Sequence, residues 1–203
     1  MSNEETNQKP SEMNPEDLPD VRAFQDEFTR GFLQSSVETE PGYYPFLSGT
    51  GAYQMGFPAG GIIGEQGYAR ENKNFESFLI GDLNSNGLET SIDIKYFLNN
   101  KEGDEIYNLE ILNSQFNDEL AFEEINLENR KLFIAPFEGN YENYGYASYL
   151  QNTESSGGVQ IIYDTLCTLE TDKCMELKDI QQDEIVNWMK SVEFVNEKNE
   201  REN

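Results

Sequence analysis

A chain of 203 residues is long enough for one domain with tails and for a sizeable hydrophobic core. Acidic residues outnumber basic ones 39 to 14, a net charge of −25 that repels nucleic-acid phosphates and anionic headgroups and attracts cations. Histidine is absent, which removes the usual general base, the Ser–His and Cys–His nucleophile pairs and most zinc sites.

Residues 1–20 contain no aromatic side chain and are dominated by Asn, Glu, Ser and Pro. They read as a disordered acidic tether, extended by its own charge. No window approaches the ~20 consecutive apolar residues of a membrane span. Val21, Phe24, Phe28 and Phe32 recur at helical steps, which predicts a helix from Val21 to about Leu33 behind an Asp20 cap. Pro41-Gly42-Tyr43-Tyr44-Pro45 breaks it.

From there the pattern is mostly β. Strands are expected at Ala52–Phe57, Phe75–Ile80, Ser91–Phe97, Ile106–Leu112, Lys131–Phe137, Tyr144–Leu150 and Val159–Leu166, separated by Gly, Asn and Asp clusters. Phe116–Leu127 has room for a short helix. Ile185, Trp188, Met189 and Val192 share one face of a closing helix, with Asp179 and Gln182 as its capping box. That phase makes the lone Trp188 a core residue rather than a ligand contact. Ser191–Val195 reads as a final strand and 196–203 as a disordered tail. The order predicts one α+β domain over 21–195, an antiparallel sheet with N-terminal and C-terminal helices packed on it; a β-sandwich is the alternative.

Three features could carry chemistry. Asp82 to Asp93 places oxygen side chains at loop positions 1, 3, 5 and 12 with Gly87 at the turn, the spacing with which a curled loop surrounds calcium. Asp82, Asn84, Asn86 and Asp93 would be ligands, with the Leu88 carbonyl. The competing reading is an acidic hairpin turning at Asn86-Gly87. Cys167 and Cys174, the only cysteines, read outside the cytoplasm as a disulfide closing a short loop. Tyr144 and Tyr146 share one strand face and, if exposed, could stack on sugars or grip a partner; the bland reading is the packed side of a sheet. Paired carboxylates such as Glu123-Glu124 are expected by chance among so many acids, and no nucleophile elbow or phosphate loop is present.

Tyr53-x-Met55-x-Phe57-Pro58 resembles the opening strand of PsbP-like domains. Glu184 to Phe194, with Trp188 and Ser191-x-x-Phe194, resembles their closing helix and strand. Ala59-Gly60-Gly61 departs from that pattern, in which a Trp often follows the Pro. The composition and polar tether are also similar to those of secreted lipoproteins of low-GC Gram-positive bacteria, with Met1 standing where the lipidated cysteine would be. These resemblances imply an α+β docking or assembly factor that is not an enzyme. It would work outside the cytoplasm, held on the outer face of the cell membrane by an N-terminal lipid.

The function expected from these readings is a tethered lipoprotein that binds a protein or envelope component, with no nucleic acid and no cofactor. A calcium-dependent structural or adhesive module and a small cell-wall hydrolase are the alternatives.

Overall fold

Along Leu88–Phe97 the side chains of Leu88, Thr90, Ile92, Ile94 and Tyr96 are buried and those between them are more exposed, the two-residue period of a half-buried strand. A computed structural model describes residues 8–83, 88–139 and 143–196. Two short helices, α1 (Arg22–Gln25) and α2 (Glu27–Arg30), lead into strands β1 (Tyr43–Leu47), β2 (Tyr53–Pro58), β3 (Gly61–Ile63) and β4 (Ala69–Glu71). Then come β5 (Phe75–Leu83), β6 (Leu88–Phe97), helix α3 (Glu105–Asn113), β7 (Glu123–Leu127), β8 (Arg130–Glu138), β9 (Asn143–Asn152) and β10 (Gly158–Cys167). Helix α4 (Thr171–Lys190) and β11 (Glu193–Phe194) close the domain.

The large sheet runs β3-β5-β6-β10-β9-β8-β7, with β4 also on β5, and its pairings are antiparallel. The small sheet runs β1-β2-β11. Ile80, Ile92, Ile161, Leu150 and Leu132 on the inner face of the large sheet meet Phe46 and Phe57 of the small sheet in one core. Ile185, Trp188 and Met189 of α4 join that core. Burying each such side chain contributes about 1.5–3 kcal/mol. The sheets stack as in a sandwich, yet α4 shares the inner layer, so the architecture is α+β. On the opposite face Leu109 and Leu112 of α3, with Phe116, Leu120 and Phe122, cover Phe133 and Tyr149.

Several expectations are corrected. The ordered chain begins before Asp20: 3₁₀ turns form at Pro10–Glu12 and Pro15–Asp17, Pro10 and Leu18 are buried, and Met13 packs on the core. Few apolar residues suffice there because each lands on a surface the domain already provides. The helix expected from Val21 to Leu33 is two turns, parted where Asp26 (φ −83°, ψ 119°) leaves helical geometry. Asp26 caps the second turn, its carboxylate accepting from Thr29 N at 2.8 Å and Thr29 Oγ1 at 2.6 Å.

The Pro41–Pro45 stretch follows the end of α2, and Pro45 sits within β1, an edge strand of the small sheet, where proline is tolerated. Ile106–Leu112 is helical, not extended. Its apolar residues satisfy both periods, and the helix lets Leu112 bury while Ile106 and Tyr107 stay exposed. The short helix expected within Phe116–Leu127 gives way to β7, zipped to β8 from Leu127 and Arg130 onward. Helix α4 starts at Thr171, ahead of the Asp179–Gln182 box, because a disulfide anchors its first turn.

Candidate functional site

Because Tyr44, Phe46, Met55 and Phe57 alternate into the core, Tyr43, Pro45, Gln54 and Gly56 occupy the outer face of the small sheet. The end of α4 lies beside them. Trp188 Nε1 donates to Gly56 O at 2.7 Å, and Gly56 N donates to Ser191 Oγ at 3.3 Å. Strand β11 pairs with β2 only at Tyr53 and Gln54, so beyond that point two side chains replace the missing strand. Glycine eases the approach at 56: a Cβ there would stand 3.3 Å from Tyr43 Cβ, and one of the two strands would have to give by a few tenths of an ångström.

Between the 34–43 segment, the small sheet and α4 opens a cleft of about 710 Å³. Tyr43 and Pro45 are half-buried in its wall, and Gln54 and Asn187 offer exposed amides. Its charged lining is Glu40, Glu184 and Glu193, with no Lys or Arg. Glu193 is shared with Arg130, 3.6 Å away, and accepts from Gln54 Nε2 at 3.2 Å. Glu40 and Glu184 form no ion pair among the described residues. Burial holds the Tyr43 phenol above its usual pKa, and the carboxylates of Glu184, Asp82 and Glu40 push it further the same way.

The residues singled out by sequence fall elsewhere. Asp82 lies in β5 opposite Thr90, and Asp93 lies in β6 opposite Leu79. Alternation sends the two side chains to opposite faces of the sheet, so they do not converge on one ion. Asp93 instead contacts Lys95 Nζ at 3.0 Å. Leu88 is buried beside the cysteine pair. Asn84 and Asn86 lie outside the described residues. Among the described residues no group of three or more Cys, Asp or Glu is placed to hold a metal.

Cys167 and Cys174 are disulfide-bonded, with Cα atoms 5.8 Å apart, tying the end of β10 to the first turn of α4. Tyr144 and Tyr146 do share a face, but α4 covers it. Tyr144 is buried and donates to Gln181 Oε1 at 2.7 Å, while Tyr146 packs against the main core. Glu123 and Glu124 are neighbours in a strand and point to opposite faces, which separates them as a catalytic pair.

Sequence reasoning missed Glu76, a fully buried carboxylate in β5. Its oxygens accept from Gly49 N (2.8 Å), Tyr68 Oη (3.0 Å), Thr50 Oγ1 (3.1 Å) and Thr50 N (3.2 Å), clasping the β1–β2 turn to the large sheet. The signal available was an acid at an inward position of an apolar strand.

A family model described as "Putative lipoprotein YvcA" matches residues 19–193, from just before α1 to the start of β11. The chain belongs to this family. The YvcA-family match takes in both sheets, the closing helix and every residue of the cleft. The "Putative lipoprotein YvcA" of Bacillus subtilis (strain 168) is 27% identical over 207 residues, covering 95% of this chain and 85% of that protein. No solved structure matches. Among the described residues no helix is long and apolar enough to cross a membrane.

Proposed function

We propose that this YvcA-family chain is a lipid-tethered envelope factor that docks onto a protein partner through the cleft beside α4 and catalyses no reaction. The cleft carries this reading. It is open, about 710 Å³ in volume, and lined by exposed amides and carboxylates around half-buried Tyr43 and Pro45. Polar groups around a partly apolar floor suit a chain segment laid across the surface. The family match supports the envelope setting.

Site-specific photo-crosslinking in intact envelopes tests it. A photo-reactive amino acid replacing Gln54, in the cleft, should give a discrete protein adduct. The same group replacing Met175, exposed near the other end of α4, should not. Identical adducts from both positions, or none from either, would overturn docking at this cleft. Release of soluble fragments from purified peptidoglycan would overturn the non-catalytic reading.

A further inference from the structure

We infer that the cleft receives a basic segment of the partner, one presenting lysine or arginine side chains between Glu40 and Glu184. This deepens the docking reading and rests on it.

Charge complementarity carries the inference. The cleft's acids arrive from separate elements: Glu40 from the segment before β1, Glu184 from α4 and Glu193 from β11. Only Glu193 has a basic partner among the described residues. Glu40 and Glu184 therefore line the same cleft without an ion pair among the described residues. The net charge of −25 would steer any basic partner toward the domain, and the cleft is where that attraction meets a shaped surface.

The walls fit the rest of such a side chain. Lysine and arginine have long apolar stems beneath their charged heads, and half-buried Tyr43 and Pro45 offer the apolar surface a stem needs. The Tyr43 ring can also face a cation. A bare metal ion suits the site less well, because among the described residues no three acids converge.

Trp188 is the only tryptophan in the chain and its buried ring backs the cleft wall, so its fluorescence reports changes at that wall. Hexalysine peptide titrated into the intact protein at physiological salt should produce a saturable change in Trp188 emission. Glu40→Lys/Glu184→Lys should weaken binding about tenfold or more. Glu110→Lys/Glu119→Lys makes the same change in net charge at exposed positions in α3 and the segment after it, and should alter the Kd by less than about twofold. If the first double variant fails to fold, Glu40→Gln/Glu184→Gln should still weaken binding relative to Glu110→Gln/Glu119→Gln.

Equal weakening in both doubles would mean diffuse attraction and would overturn the inference. So would binding seen by calorimetry with no change in Trp188 emission, or no binding at all. A discrete Gln54 adduct alongside a failed hexalysine titration would leave docking standing and remove the cationic partner. Loss of the adduct alone would remove docking.

Discussion

The indole N–H of Trp188 donates to the backbone carbonyl of Gly56 across 2.7 Å, joining the closing helix to the second strand over 132 residues of sequence. The bond supplies an inter-strand partner that β11 is too short to provide, and it forms one wall of the cleft. Trp188→Phe retains most of the ring's packing and leaves that carbonyl without its donor. The variant should lose about 1–2 kcal/mol of stability, read as a lower urea midpoint with unchanged slope. An unchanged midpoint would show that the carbonyl finds another donor.

Glu76 holds the β1–β2 turn by three hydrogen bonds, from Gly49 N, Thr50 N and Thr50 Oγ1, and accepts a fourth from Tyr68. Glu76→Gln replaces one acceptor oxygen with a donor and turns it toward groups that already donate. A loss of about 2–3 kcal/mol is expected. Amide exchange at Gly49 and Thr50 should accelerate more than exchange in β9. Uniform acceleration would mean that the carboxylate contributes only to global stability.

Tyr68 and Tyr96 have phenols pushed up to about 12, by burial first and by the Glu76 charge second. Tyr53 is raised for the same leading reasons. In the unfolded chain these groups ionise near 10.0. Between those values the unfolded state releases protons that the folded state retains. Their stabilising contribution is therefore complete below pH 10.0 and is lost as pH rises toward about 12. Urea titrations across that window should show falling stability, with a further rise in tyrosinate absorbance accompanying unfolding. Flat stability would contradict the burial of these rings.

Leu18 and Pro10 are buried in the segment before Asp20, and Met13 packs on the core. Relative to a chain beginning at Gln8, one beginning at Asp20 should lose about 2–3 kcal/mol, chiefly from removing the core contacts of Leu18 and Met13 and uncovering the apolar surface they pack on. Equal melting curves would show that this segment rests on the domain without stabilising it.

Much of the sheet was legible because a strand with one covered face shows its period in its own residues. Strands β5, β6, β8, β9 and β10 fall where the apolar alternation places them. The cysteine pair and the apolar phase of Ile185, Trp188 and Met189 were readable for the same local reason. Helix α3 was not, since Ile106–Leu112 fits either period and only its seat over Phe133 and Tyr149 selects the helix. Likewise Asp26 ends one turn and caps the next, a choice made by backbone geometry that composition does not encode.

The cleft lay beyond reach of local reasoning. Tyr43 and Pro45 sat in a stretch marked as a helix breaker, and Glu40 and Glu184 were two acids among 39. Sequence by itself determined the acidity, the α+β class, the inward strands and the residue types able to pair. Tertiary structure decided which carboxylates line the cleft without an ion pair among the described residues and which tyrosines were covered. The physical reason is range: apolar periodicity acts between neighbours along the chain, whereas the Trp188–Gly56 bond and the cleft between them exist only once distant segments have been packed side by side.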